Sequence, residues 1–254
     1  MGKLSLVRLD SAVECYTVAD ADAEDDARFL YGEIFERGDY LKHGVVLPPD
    51  AFVVDAGANI GLFCLFVKTT APGATVVAVE PMADTREVLR RNIELHGLTD
   101  CHVHACGLGE REEVATFHHF PGLPANSTRY PDEKSSLLEL MRGDRGVEVT
   151  EHTMRSRTEL VAVRPLSDLL REWRHVERID LVKVDVEGAE LEVLKGIEEA
   201  DWARIAQLVV EVQQVGSRLA EVVGLLEAKG YTAVVERPSM IDPSLDLHMV
   251  YARR

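Results

Sequence analysis

Short apolar runs alternate with helix-like stretches through most of the chain. From residue 51 onwards, short runs rich in valine are followed by segments whose apolar positions recur at helical spacing. Val-rich strands separated by helices are typical of a parallel sheet covered on both faces. We therefore predict an α/β fold with strands at 51–55, 75–80, 101–105, 179–185 and 208–212 and helices at 60–69, 83–96, 166–173, 188–196 and 217–228.

Both ends of the chain differ from this alternation. Two closing strands, 231–235 and 247–252, follow each other without an intervening helix, which predicts an antiparallel hairpin added to the sheet. Near the start, apolar residues recur at helical spacing from Phe29 until Gly38 ends the run. We predict an N-terminal helical cap over residues 1–48 and one catalytic domain over residues 49–254.

The central segment, residues 118–159, lacks clear periodicity and is rich in Pro, Asn, Ser, Arg and Glu. It lies between two further predicted strands, at 112–117 and 160–163. Aperiodic stretches of this length inside a compact domain are usually functional. We predict a mobile lid insert there, with four polar or aromatic residues facing the site: Asn126, Ser127, Arg129 and Tyr130.

The composition excludes several classes of protein. The 254 residues carry 28 Lys and Arg against 44 Asp and Glu, and this net charge of −16 disfavours nucleic-acid and membrane partners. No apolar run approaches the ~20 residues that cross a bilayer, and Met1–Leu4 opens no stretch typical of a signal peptide. The four cysteines lack zinc-like spacing. We expect a cytoplasmic protein with reduced thiols that acts on a small molecule.

The strongest local signal is the run Asp55-Ala56-Gly57-Ala58-Asn59-Ile60-Gly61, between a predicted strand and a predicted helix. Glycine allows a tight turn and a close approach to a ligand, and the helix N-terminus then faces the crevice. A dinucleotide site would require G-x-G-x-x-G, whereas this run has G-x-x-x-G. Asp55 places a carboxylate where a pyrophosphate would lie, which favours a cationic group such as the amino group of S-adenosylmethionine (SAM).

A second carboxylate, Glu80, ends the next predicted strand, where it can accept hydrogen bonds from both hydroxyls of a ribose. The two acids and the glycine turn together predict a nucleoside cofactor site rather than a purely structural turn. The predicted cofactor contacts are Asp55, Gly57, Ala58, Asn59, Gly61, Glu80, Pro81 and Gly107.

Charged residues also occur in the strand predicted at 179–185. Because side chains alternate between the two faces of a strand, Lys183 and Asp185 lie on the same face. Asp185 falls at the carboxyl end of the strand. They are either a structural ion pair or functional, because a buried unpaired charge is strongly unfavourable. Glu211 ends the next strand and opens onto the same edge of the sheet. The predicted catalytic residues are Lys183, Asp185, Glu187, Glu211 and Gln213.

These residues resemble the FkbM family of SAM-dependent methyltransferases. The resemblance spans roughly residues 50–235 and rests on Asp55 to Gly61, Glu80-Pro81 and above all Val182-Lys183-Val184-Asp185-Val186-Glu187-Gly188-Ala189-Glu190 followed by Leu194-Lys195-Gly196. Two further stretches resemble the O-methyltransferase domains of modular polyketide synthases: Ala125-Asn126-Ser127-Thr128-Arg129-Tyr130-Pro131 with Glu133-Lys134, and Val209-Val210-Glu211-Val212.

The resemblance implies a class I methyltransferase fold, with a Rossmann-like, mostly parallel sheet of seven strands. It also implies SAM as methyl donor and a hydroxyl acceptor, or less often a carboxyl. The substrate would be a small-molecule or polyketide-type secondary metabolite, free or tethered to an acyl carrier protein. One position departs from the polyketide synthase relatives, in which a histidine commonly stands where this chain has Gln213. If that histidine is their base, this chain uses another group or another substrate.

Methyl transfer from a sulfonium is an in-line displacement, so the enzyme mainly positions the acceptor oxygen. An alcohol must also lose its proton, whereas a carboxylate acceptor needs no base. We predict that Glu211 accepts the proton and that Gln213 orients the acceptor. Asp185 is predicted to pair with Lys183. Asp185 and Glu211 alone are too few to predict a magnesium site, so we predict no metal. Other candidates for the base are Asp185, Glu187, His118 and His119.

Three alternatives compete with this hypothesis. A carboxyl methyltransferase of the same family would need no base. A nicotinamide-dependent oxidoreductase could use the same crevice, but the third glycine of its motif is missing. A non-catalytic scaffold would be expected to lose some of the motif residues, yet Asp55, Gly57, Asn59, Gly61 and Glu80 are all present.

Overall fold

The chain folds into strands and helices in alternation, preceded by a small N-terminal unit. The structure is a computed structural model and describes residues 3–254, apart from the side chains at positions 145 and 149. The strands are β1 (Leu4–Arg8), β2 (Glu14–Val18), β3 (Phe52–Ala56), β4 (Thr75–Val79), β5 (Cys101–His104), β6 (Gly107–Leu108), β7 (Glu113–His119), β8 (Arg157–Arg164), β9 (Leu181–Val184), β10 (Gln207–Gln213), β11 (Thr232–Glu236) and β12 (Leu247–Arg253). The α-helices are α1 (Ala21–Tyr31), α2 (Leu62–Thr70), α3 (Ala83–Leu95), α4 (Ser135–Arg145), α5 (Val147–Thr153), α6 (Leu166–Leu170), α7 (Glu190–Lys195), α8 (Glu199–Trp202) and α9 (Arg218–Ala228).

Seven strands form the central sheet, in the order β11-β12-β10-β9-β3-β4-β5. Strands β10, β9, β3, β4 and β5 pair in parallel, whereas β12 is antiparallel to both of its neighbours. The chain runs outward from β3 to β5 and then returns to β9 on the other side of β3. Such a reversal opens a crevice at the carboxyl ends of the strands. The predicted seven-stranded sheet and its terminal antiparallel hairpin are thus confirmed.

Apolar layers cover both faces of the sheet, which explains the near-continuous valine runs. On one face Val54 and Val182 are fully buried. On the other face Val53 and Leu181 are fully buried beneath α2, α3 and the N-terminal unit. Burying one such side chain contributes ~1.5–3 kcal/mol to the free energy of folding. A strand covered on both sides therefore has little room for polar residues except at its ends.

The two further strands predicted at 112–117 and 160–163 are β7 and β8, and they lie outside the central sheet. Together with β6 they form a separate three-stranded sheet in the order β6-β8-β7. Phe117 and Val163 of this small sheet pack against Met82, which follows the carboxyl end of β4. The packing brings the central insert over the crevice.

The N-terminal segment differs from the predicted helical cap. It contains α1 and the π-helix Gly32–Glu36 that continues it, but it also contains an antiparallel hairpin of β1 and β2. Asn92 of α3 holds the hairpin by accepting from the Tyr16 N–H at 2.6 Å and donating to the Tyr16 carbonyl at 3.0 Å. These strands were missed because they are short and mostly half-exposed. Residues 1 and 2 of the predicted cap lie outside the described residues.

The central insert has regular structure that its sequence did not predict. Helices α4 and α5 lie within residues 118–159, after short 3-10 helices at Pro124–Asn126 and Pro131–Lys134. Helices this short gain most of their stability from tertiary packing rather than from local sequence preference. Within the described part of the chain, none of the helices combines the length and the apolar character that a membrane span requires.

Candidate active site

A cavity of about 410 Å³ opens at the carboxyl ends of the central strands. Its floor consists of the turns after β3, β4 and β9 together with the end of β10. The N-terminal unit forms one wall and the central insert another, so both flanking segments contribute to the site. A cavity at a reversal in strand order is the usual place for a ligand in sheets of this type.

The turn after β3 is shaped by a glycine that no other residue can replace without movement. Gly57 has a φ of +83°, and a Cβ there would lie 1.8 Å from the Asp185 carbonyl oxygen. The Gly57 and Ala58 N–H groups donate to the Val79 carbonyl at 3.1 and 3.0 Å. Asn59, with a φ of +47°, lines the cavity and has a buried Oδ1 without a hydrogen-bond partner among the described residues. The turn therefore contains an unsatisfied acceptor beside the cavity.

Glu80 lies beside this turn and also lines the cavity. Its Oε2 accepts from the Asn59 N–H at 3.0 Å, and its Oε1 accepts from the Met82 N–H at 2.8 Å. Burial raises the pKa of Glu80 to about 7, although the two backbone donors oppose the shift. Each oxygen keeps a second acceptor position, so Glu80 can still accept from two hydroxyls.

Asp55 does not line the cavity, which corrects its prediction as a direct cofactor contact. It is fully buried, and its Oδ1 accepts from Lys183 Nζ at 3.0 Å. Lys183 also donates to the Gly57 carbonyl at 2.9 Å and lies 3.3 Å from Asp185, the ion pair that was predicted. Burial alone would lower the pKa of Lys183, but the two carboxylates outweigh it and raise it. Asp55 thus fixes the lysine that joins the β3 turn to the end of β9.

Some of the other predicted cofactor residues line the cavity, whereas one has a role in the packing around it. Ala58, Pro81 and Gly107 line the cavity. Gly61 does not, and a Cβ on it would lie 2.5 Å from Cδ1 of Leu89 in α3. Because Gly61 directly precedes α2, its role is to let α2 and α3 pack closely.

Three predicted catalytic carboxylates converge at the other end of the cavity. One oxygen from each of Asp185, Glu187 and Glu211 lies within 4.8 Å of the other two. Asp185 accepts from the Tyr40 hydroxyl at 3.1 Å, and Glu187 forms an ion pair with Lys134. Glu211 has neither a hydrogen-bond nor an ion-pair partner among the described residues. Burial and the neighbouring carboxylates raise the pKa of Glu211 well above its ordinary value.

Sequence reasoning missed two residues of the site, both from the N-terminal unit. Glu33 is 4% exposed and lines the cavity, and the described residues offer it no hydrogen-bond or ion-pair partner. Burial and the nearby Asp185 raise the pKa of Glu33. A weak signal was present, since Glu33 follows Leu30 by three positions and so falls on an apolar helix face. No local sequence pattern indicated Tyr40, because its contact with Asp185 joins residues that are 145 positions apart.

Half of the predicted lid contacts reach the cavity. Asn126 and Ser127 line it, whereas Arg129 and Tyr130 do not. Arg129 donates to Glu192 at 3.0 Å, and the Tyr130 hydroxyl donates to the same carboxylate. These two side chains therefore fasten the insert to α7, which corrects their prediction as acceptor contacts.

Gln213 lines the cavity, but His118 and His119 do not. The Gln213 side-chain amide donates to the Glu133 carbonyl at 3.2 Å, which fixes its orientation. His119 is 1% exposed, its Nδ1 lies 3.3 Å from the Ser127 hydroxyl, and burial lowers its pKa. Among the predicted bases, the geometry thus favours the three acids over the histidines.

Comparison with known proteins places this site in a family. Residues 55–233 match the family model described as the methyltransferase FkbM domain. The chain belongs to the FkbM methyltransferase family. It is 36% identical to Methyltransferase 1 of Beauveria bassiana over 93% of each chain. It is 38% identical to the 31-O-demethyl-FK506 methyltransferase FkbM of Streptomyces tacrolimicus over 94% of each chain.

One solved structure shares the fold of this chain. The crystal structure of an FkbM methyltransferase from Methylobacillus flagellatus matches with a TM-score of 0.57 at 19% identity, covering 84% of this chain and 46% of that chain. This chain therefore has the class I methyltransferase fold. Family membership overturns the oxidoreductase and scaffold hypotheses. The family match begins at Asp55, so Glu33 and Tyr40 lie outside it.

Proposed function

We propose that this FkbM methyltransferase transfers the methyl group of SAM to a hydroxyl of a secondary metabolite. The acceptor is a small molecule or a polyketide-type compound, free or tethered to an acyl carrier protein. The observation that carries the proposal is a single cavity with two chemically different ends. One end has the turn at Gly57 with Glu80, and the other has an unpaired acid, Glu211. The name of the similar 31-O-demethyl-FK506 methyltransferase supports a hydroxyl acceptor.

The cofactor end fits SAM by the chemistry of its acceptors. Asn59 offers a buried oxygen without a partner among the described residues, and Glu80 offers two carboxylate oxygens with spare capacity. Hydroxyl groups of a ribose are the donors that such oxygens require. When bound, SAM supplies an electrophilic methyl group. We assign Glu80 to the ribose and Asn59 to a neighbouring polar group.

Replacing Glu80 with alanine should weaken SAM binding by about 1.5–3 kcal/mol, because hydrogen bonds to a charged group are lost. Isothermal titration calorimetry measures this change. Glu80→Gln should lie between alanine and the wild type, since its amide keeps one acceptor oxygen. The exposed Glu94 on α3 gives a matched control, and Glu94→Ala should bind SAM normally. Wild-type affinity in Glu80→Ala would refute the ribose assignment.

The acceptor end provides a base and a fixed frame around it. Lys183 and Tyr40 hold Asp185 in place. Glu211 is free to take the hydroxyl proton of an acceptor bound there, and SAM, when bound, would supply the methyl group to the acceptor oxygen. Its raised pKa makes Glu211 a stronger base than an ordinary carboxylate. Gln213 lines the same wall and orients the acceptor.

The rest of the cavity favours an acceptor with an apolar body. Aliphatic side chains from α4, from the segment before β12 and from the first residue of β12 contribute to the wall: Leu137, Leu140, Met240, Ile241, Leu245 and Leu247. Labelled SAM and a set of hydroxylated polyketides, free and carrier-bound, each with its carboxylic acid counterpart, test the proposal. Label should appear in a base-stable methyl ether. Label only in base-labile methyl esters would favour the carboxyl methyltransferase instead.

We expect α4 and α5 to become more protected when SAM and an acceptor bind. The reason is that Leu137 and Leu140 of α4 lie against the space that the acceptor would fill. Hydrogen–deuterium exchange with SAM alone, and with SAM plus acceptor, measures the effect. The reference segment is β1 and β2, which contribute no residue to the cavity wall within the described chain. Equal exchange of α4 and α5 in the free and bound states would contradict a lid.

A further inference from the structure

Four carboxylates from three elements line the cavity, and three of them lie close together. Asp185 and Glu187 follow β9, Glu211 lies on β10, and Glu33 lies on the π-helix. One oxygen from each of the first three lies within 4.8 Å of the other two, and Glu33 lines the same cavity. We propose that these four residues bind one divalent cation of the Mg²⁺ or Mn²⁺ type.

The two lysines of the site do not neutralise the negative charge of the four carboxylates. Lys183 lies 3.0 Å from the fully buried Asp55 and 3.3 Å from Asp185, so it forms ion pairs with two carboxylates at once. Lys134 pairs with Glu187. Glu33 and Glu211 form no ion pair with a described residue, although Lys183 lies near enough to attract both and Arg37 attracts Glu33. Like charges this close together repel each other, and a bound cation would relieve that repulsion.

Glu33 distinguishes the cluster from an ordinary group of surface acids. Its side chain is 4% exposed, and no donor among the described residues reaches it. A buried carboxylate without a partner is unfavourable unless a ligand supplies one. It also lies on a π-helix, a local distortion of helices that is frequent at functional sites. The N-terminal unit therefore adds a buried carboxylate, without a hydrogen-bond or ion-pair partner among the described residues, to the wall of the same cavity.

The donor chemistry selects the type of cation. All four side chains offer carboxylate oxygen, and hard cations such as Mg²⁺ and Mn²⁺ prefer such ligands. The mechanistic use of the cation rests on the proposed function. A hydroxyl bound to it would lose its proton more readily, and the second oxygen of Glu211 could accept that proton. The sequence predicted no metal because only Asp185 and Glu211 were recognised as possible ligands.

Titration of the purified full chain with Mn²⁺, followed by electron paramagnetic resonance without SAM or acceptor, tests the site directly. We expect one Mn²⁺ per chain, displaced by Mg²⁺. Glu33→Gln and Glu187→Gln should each weaken Mn²⁺ binding by at least about tenfold. Glu36 lies on the same π-helix but is exposed, so Glu36→Gln should bind Mn²⁺ like the wild type. SAM titration of each variant verifies that it is folded.

Two results would overturn the inference. One is a wild-type chain that binds SAM but no Mn²⁺ at millimolar concentration. The other is a folded Glu33→Gln variant, or a folded Glu187→Gln variant, with wild-type Mn²⁺ affinity. Methyl transfer is scored separately, with labelled SAM, in the presence and absence of a chelator. Metal binding can therefore fail while the O-methyltransferase proposal stands, and the reverse outcome is equally visible.

Discussion

Replacing Glu211 with glutamine is expected to slow methyl transfer by about 10²–10⁴-fold and to leave SAM binding intact, because a positioned general base is removed while the cofactor end is untouched. Glutamine keeps the size of the side chain but cannot accept the hydroxyl proton. Single-turnover rates with labelled SAM measure the loss, and calorimetry measures the SAM affinity. Glu227→Gln, on the exposed side of α9, is the control and should turn over like the wild type.

The pH dependence of the same reaction has a definite sign. A base acts in its ionised form, and burial with nearby carboxylates raises the pKa of Glu211. The wild-type rate should therefore fall as the pH drops below this raised pKa and level off above it. In Glu211→Gln this dependence should disappear, with the deficit largest where the wild-type acid is ionised.

Other outcomes would move the role elsewhere. Near wild-type turnover in Glu211→Gln would direct the test to Asp185, Glu187 and His118. If none of those substitutions mattered, the acceptor would be a carboxylate that needs no base. Mn²⁺ binding is also measured in Glu211→Gln. Slow turnover with wild-type Mn²⁺ affinity would show that Glu211 acts as the base without binding the cation.

Replacing Gly57 with alanine is expected to lower the free energy of unfolding by about 2–5 kcal/mol, combining the cost of a left-handed alanine with that of overpacking. Its φ is +83°, and the added Cβ would lie 1.8 Å from the Asp185 carbonyl oxygen. Relief of this clash must move the β3 turn away from the end of β9. SAM binding should therefore fall as well. Denaturant unfolding and calorimetry measure the two effects.

Gly97 provides a matched control for that substitution. It also has a positive φ, +57°, but no atom lies within 4 Å of a Cβ built on it. Gly97→Ala should therefore cost only the ~1–2 kcal/mol of the left-handed backbone, without loss of SAM binding. Equal destabilisation by the two substitutions would show that the contact between the β3 turn and Asp185 is not tight.

The sheet could be predicted from sequence because its signals are local. Valine runs, helical spacing and the glycines after β3 are each read within about a dozen residues, and they correctly predicted the strands on both sides of the crevice. The motif at Lys183 to Glu190 indicated the family for the same reason. The helices of the insert could not be found in this way, since α5 has only seven residues and depends on packing.

The sequence by itself determined the parallel sheet, its closing hairpin and the FkbM family. Only the tertiary structure determined which groups the charged side chains contact. Asp55 stands opposite Lys183 in the register between β3 and β9, so it faces a lysine 128 positions away rather than the cavity. Tyr40 and Glu33 reach the acids only because the N-terminal unit packs on that face of the sheet. A side chain's neighbours across strands depend on pairing and packing, which a local pattern does not contain.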